Sequence, residues 1–148
     1  MTRTAFHLNL LALFLAGFFL NPSSFLTVDA AESTLPSFAD FSESVRNSEA
    51  DVLRGVYVPN VLALPVVQQP ADQPYYVSNH NGEATQFSMA ARHGNIGLLA
   101  HNTLSGRLFS GLATGQEVRL VYGDGRVEYF VIAQVLQFQA LDPESVNS

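Results

Sequence analysis

Residues 117–141 read EVRLVYGDGRVEYFVIAQVLQFQAL. Val118, Leu120 and Tyr122 alternate with more polar neighbours, and Val127, Tyr129 and Val131 resume the alternation beyond Gly123-Asp124-Gly125. An alternation of period two sends one set of side chains to each face of an extended chain. The Gly-Asp-Gly link supplies positions that tolerate positive φ, as a tight reversal needs. The stretch predicts a β-hairpin whose second arm leads into a further extended strand to about Leu141.

Upstream, the same texture of short apolar runs and turn residues begins at Gly55. Val56-Tyr57-Val58-Pro59 and residues 61–67 are rich in β-branched side chains and interrupted by Pro59 and Pro65, a pattern that suits edge strands or bends. Residues 68–85, QQPADQPYYVSNHNGEAT, read as loop. Residues 95–99 lack alternation and predict a short buried strand. Leu104, Leu108, Phe109 and Leu112 predict a tight helical turn closed by Gly115. Closely spaced strands with little helix between them argue for an all-β fold, a sandwich or barrel with short helical turns.

The N-terminal side differs. Met1 and Arg3 precede an unbroken apolar run at residues 10–20, LLALFLAGFFL, which has the size of a signal h-region and is shorter than the roughly 20 residues that span a bilayer. Asn21-Pro22 ends the run, and Val28-Asp29-Ala30 offers small residues where a cleavage site wants them. Residues 1–30 are therefore expected to be a signal peptide or an N-terminal membrane anchor, and the rest to be exported. Residues 31–54 are acidic and Ser-rich. Leu35, Phe38, Phe41 and Val45 recur at roughly helical spacing, so this stretch is either a short amphipathic helix or a solvated spacer. Residues 55–148 form the expected β domain.

Composition narrows the functions. Of 148 residues, 47% are hydrophobic and 14% charged, a balance that fits one packed domain. The net charge is −6, and the seven basic residues, all Arg, are scattered singly, which leaves no stripe to track phosphates and argues against nucleic-acid binding. There is no Cys, hence no disulfide, thiolate metal site or thiol nucleophile within these residues.

Few residues invite chemistry. His101 ends the apolar run of residues 94–100 and precedes a Gly-containing loop, a strand-to-loop junction where a scaffold displays reactive groups. His80, His93 and His101 are thirteen and eight residues apart, a spacing that matches no metal-ligand pattern, so no metal or other cofactor is expected. Asn79-His80-Asn81-Gly82 reads more simply as a turn. Ser105 and Ser110 lack the Gly-x-Ser-x-Gly setting of a nucleophile and read as loop serines. Glu117, Asp124 and Glu128 form no evident catalytic pair.

Four segments in register carry a resemblance. They are Val56-Tyr57-Val58-Pro59-Asn60-Val61, residues 94–102 (GNIGLLAHN), residues 109–118 (FSGLATGQEV) and the hairpin through Tyr122-Gly123-Asp124-Gly125 to Tyr129-Phe130-Val131. Together they resemble the front two-thirds of a sortase, a cysteine transpeptidase of bacterial surface proteins. Ala100 stands where many sortases have Gly before the His, a small-for-small departure.

The resemblance implies a sortase-like β-barrel at the cell surface. It implies a sorting-signal peptide, commonly of the Leu-Pro-x-Thr-Gly kind, as substrate and an amine as acceptor. His101 would be the catalytic acid–base group, beside a Cys nucleophile and an oxyanion-stabilising Arg on later strands. Neither strand falls within residues 1–148, so the expectation is a barrel incomplete at its C-terminal side, a sortase fragment that is inactive and poorly folded by itself. A non-catalytic exported β domain, used for binding or as a structural module, is the alternative. A His-based metal hydrolase is a third, weaker idea.

Overall fold

The computed structural model describes residues 35–138; the signal segment expected at residues 1–30 lies outside them, as do residues 139–148. No helix among the described residues is long and apolar enough to cross a membrane.

The regular structure of the described residues is mostly strand. Helix α1 (Phe38–Val45) is followed by β1 (Leu53–Val58), β2 (Leu62–Gln68), β3 (Ala84–Gln86), the one-turn helix α2 (Ser88–Ala91) and β4 (Leu98–Leu99). A 3₁₀ helix, Ser105–Gly111, then leads to β5 (Glu117–Tyr122) and β6 (Val127–Val131). The six strands form one curled sheet in the order β4-β3-β2-β1-β5-β6, a half-barrel. All neighbours are antiparallel except β2 and β3.

The hairpin forms where the alternation predicts it, with Val121 opposite Val127 and Glu117 opposite Val131. Tyr122 donates its N–H to the Arg126 carbonyl, and Gly125, at φ 90°, donates to the Tyr122 carbonyl. This is a three-residue link with glycine in the left-handed position. Gly123 serves a different need. A β-carbon there would stand 2.2 Å from Asn47 Oδ1 and 2.6 Å from the Glu49 carbonyl oxygen, because residues 47–49 lie directly on the hairpin.

Each face of the sheet carries its own apolar cluster. On one, Leu53, Val56, Val58, Leu62, Leu64, Val66, Ala84, Leu120 and Tyr122 are buried together. A register shift between Leu53 and Gly55 lets Leu53 and Val56 share that face although they lie three residues apart. On the other, Phe41 of α1 packs with Tyr57 and Val121, supported by Phe38, Val45, Ala63 and Val127. The helix starts where Ser37 Oγ accepts the Asp40 N–H at 3.2 Å, and Phe38, Phe41 and Val45 share one side of it. Residues 38–45 are thus a helix packed on the sheet.

Several expectations need correction. The further strand expected to run to about Leu141 is not found among the described residues: β6 ends at Val131, and residues 132–138 hold no strand. The reason lies in the partner. Ile132 still donates to Gln116 and accepts from Gly115, but at Gly115 (φ 89°) the chain entering β5 turns away and offers no further ladder groups. The same glycine does not close the helical turn. The 3₁₀ helix ends at Gly111, where the Leu112 N–H bonds the Phe109 carbonyl.

Residues 68–85 are not wholly loop either, since Ala84–Gln86 pairs in parallel with residues 66–68 of β2. Three residues are too few to show a period, so the ladder has no signature in sequence. The strand expected at residues 95–99 shrinks to Leu98–Leu99 and is half-buried, as β3 is its one strand neighbour among the described residues. Pro65 sits in an interior strand, not at an edge. It is accommodated because the pairing of β2 with β3 begins one residue later, at Val66.

Candidate functional site

His101 follows β4 by two residues and is exposed to solvent. Its backbone is held firmly. The carbonyl accepts two N–H groups, from Leu104 and Gly106, both at 2.9 Å. Gly106 has no room for a side chain, since a β-carbon would stand 2.7 Å from the His101 oxygen and 2.8 Å from that of Ala100. This close approach explains why a glycine follows Ser105.

Ser105 is not a loop serine in any ordinary sense. It is 1% exposed, and its Oγ accepts the N–H groups of Gly82 (2.7 Å) and Glu83 (3.0 Å) from the loop that precedes β3. Its oxygen thereby serves the backbone of that loop. In the same loop, Ser78 donates its hydroxyl to Glu83 Oε2 at 2.7 Å, and its N–H goes to the buried Thr85 Oγ1 at 2.8 Å. Sequence reasoning missed this arrangement. The one available signal was the small pair Ser105-Gly106 amid larger apolar residues.

The remaining candidates are dispersed or engaged. His80 lies 3.6 Å from Glu83 through Nδ1, while His93 follows α2 and gives its N–H to the Ala90 carbonyl. Among the described residues, no group of three His, Cys, Asp or Glu gathers to hold a metal ion. Ser110 donates to the Arg107 carbonyl at 2.7 Å. Glu117 pairs with Arg119 at 2.6 Å, and Asp124 accepts the Arg126 N–H inside the hairpin turn. Glu128 accepts the Tyr122 hydroxyl at 3.0 Å and pairs with Arg126. Burial first, and then the bond to Glu128, raises the ionisation of the Tyr122 phenol above its ordinary range.

The apolar inner face of the half-barrel is open. One concavity, about 760 Å³, is lined by Ile96, Leu98, Val118, Leu120, Phe130 and Ile132 among others. A second, about 390 Å³, shares Leu98, Val118 and Ile132 with it and extends along Val58, Phe109 and Leu112. A third, about 600 Å³, lies against Asn102, Gly106, Arg107 and Ser110, and is bounded by Leu136 and Phe138. His101 is the residue before Asn102, which lines the third concavity, and is not itself among the lining residues of any of the three. With no Cys in the chain, this site has no thiolate to attack a carbonyl.

No protein-family model, curated protein or solved structure matches the chain.

Proposed function

We propose that this chain is the His-bearing part of a sortase-like transpeptidase, exported to the cell surface. In this reading His101 gives a proton to the amine that leaves a cleaved sorting-signal peptide and takes one from the incoming amine. The thiol that forms the acyl-enzyme, and the guanidinium that steadies its oxyanion, come from polypeptide beyond Ser148. The chain by itself is inactive, because without a thiolate no acyl-enzyme forms. The observation that carries the reading is the exposed location of His101 just past the edge strand β4, next in the chain to Asn102, which lines an open concavity.

The experiment is to read the coding sequence downstream of Ser148 and to express the chain with and without what it encodes. The expected result is a continuation bearing Thr-Cys and then Arg on two strands. With it, a Leu-Pro-x-Thr-Gly peptide is cleaved, and His101→Ala abolishes the cleavage. Cleavage by the 148-residue chain alone would overturn the requirement for an added thiol. A continuation lacking Cys would overturn the transpeptidase reading altogether.

The second reading, a non-catalytic β domain for binding or structure, is favoured by one observation. The sheet buries apolar residues on both faces, with Leu53, Val58, Leu62 and Val121 at 1% exposure or less. Amide exchange on the isolated chain separates the two. Strong protection across residues 117–131 favours a self-sufficient module, whereas weak protection favours an unfinished barrel.

A further inference from the structure

We propose that Ser105 is the positioning residue for His101. The inference rests on reading His101 as the acid–base group of the site. The residues on either side of Ser105 are the two that hold the His101 carbonyl, through the N–H groups of Leu104 and Gly106. Ser105 itself is tied by its buried hydroxyl oxygen to Gly82 and Glu83, more than twenty residues away in the chain. Those two residues lead directly into β3, whose Thr85 pairs with Leu99, two residues before His101. The segment of residues 82–85 therefore grips the His101 loop on both sides, by a strand pairing before the imidazole and by one side-chain oxygen after it.

The chemistry of that oxygen makes the grip specific. Gly82 and Glu83 aim two N–H groups at a single acceptor on a residue buried from bulk water, so both lose their partner when that oxygen is removed. Imidazole placement matters in any proton transfer, because the donor must meet its partner at hydrogen-bond distance. Ser105 sets that placement without touching a substrate.

Native-state amide exchange on the full chain at graded urea tests this without any variant. Gly82, Glu83, Leu104 and Gly106 should merge into one opening reaction. Separate openings for the 82–83 and 104–106 amides would overturn the proposal. In Ser105→Ala, exchange at Gly82 and Glu83 should rise at least tenfold, as expected on loss of a buried acceptor. The ring carbon–proton signals of His101 should shift and broaden, while the amides of Val58 and Leu120 stay protected. Ser105→Thr, which keeps the hydroxyl, should return the His101 signals toward those of the parent. If Ser105→Ala frees the 82–83 amides but leaves the His101 ring signals in place, Ser105 only fastens a loop and the proposal fails. These readouts need no enzymatic activity. Failure of the transpeptidase reading would show in the peptide assay and leave them unchanged, whereas failure of the positioning role would show in exchange and ring signals alone.

Discussion

The ring of Phe41 lies so close over Gly55 that its Cε1 and Cζ atoms are 2.9 Å from where a β-carbon on that glycine would stand. Phe41 is 3% exposed, so the ring has little room to retreat, and Val45 Cγ2 closes the same space at 3.1 Å. Gly55→Ala should cost about 1–3 kcal/mol through overpacking, and Phe41→Ala about 3–5 kcal/mol through lost burial and the cavity left behind. Urea unfolding of both variants and of the double variant checks the contact. The double variant should be more stable than the sum of the single losses predicts, because removing the ring makes room for the added methyl. Strict additivity would mean that helix and strand do not meet as described.

A second glycine tests the seating of residues 47–49 on the hairpin. The Gly123 carbonyl accepts the N–H groups of Asn47 (3.1 Å) and Ser48 (2.9 Å), and the missing β-carbon leaves space for Asn47 Oδ1. Gly123→Ala should destabilise by about 1–3 kcal/mol and expose the amides of Asn47 and Ser48 to exchange. Gly82→Ala is the contrast. Nothing lies within 4 Å of its β-position, so only its φ of 94° opposes the change, and the cost should be nearer about 1 kcal/mol.

Two ionisations shape stability at the ends of the pH range. The bond from Arg54, reinforced by Asn47, holds the Glu49 carboxyl below its ordinary value of 4.5. A carboxyl depressed in the folded state stabilises above its unfolded pKa, and that contribution is lost as pH falls through the folded value. Glu49→Gln should flatten the stability curve below about pH 4.5, an effect kept small by the exposure of the pair to solvent and weakened further by salt.

Tyr122 acts at the other end. Its phenol is raised above 10.0, by burial and then by Glu128, so its contribution is complete below the unfolded pKa and is lost as pH rises through the folded one. Tyr122→Phe should remove part of the alkaline loss and, by deleting the bond to Glu128, lower stability near neutrality by about 1 kcal/mol. Thermal melts from pH 7 to 11 read both effects. An unchanged alkaline limb would show that the phenol ionises as freely as in the unfolded chain.

On β6 and in the residues that follow it, side chains suited to burial stand in water. Tyr129, Val131, Leu136 and Phe138 are 61%, 67%, 61% and 88% exposed, and β6 has a neighbour on one side only among the described residues. An apolar edge of this kind is a template for pairing with another chain. The 148-residue protein should self-associate as its concentration rises, and Val131→Lys should suppress this without lowering the melting temperature. Sedimentation velocity on the two proteins decides the matter. Equal association would exonerate the edge.

How much of this was legible in the sequence depends on the range over which each feature is decided. Alternation in residues 117–131, with glycines between, specified the hairpin and both of its faces, because a period of two and a tight link are properties of adjacent residues. The spacing of Phe38, Phe41 and Val45 likewise carried one side of α1. That spacing left helix and spacer equally open until Tyr57 and Val121 supplied a surface to cover. His101 stands out by its position after an apolar run, and the chain alone already excludes a thiol partner within its residues.

What sequence could not decide is whatever depends on a partner distant in the chain. The strand Ala84–Gln86 exists because β2 offers it a ladder, and β6 stops because the chain ahead of β5 turns away at Gly115. Ser105 looks like any loop serine until residues 82 and 83 arrive with two buried N–H groups that require an acceptor. Local periodicity is written into neighbouring side chains, whereas the satisfaction of buried backbone groups is settled only when remote segments meet.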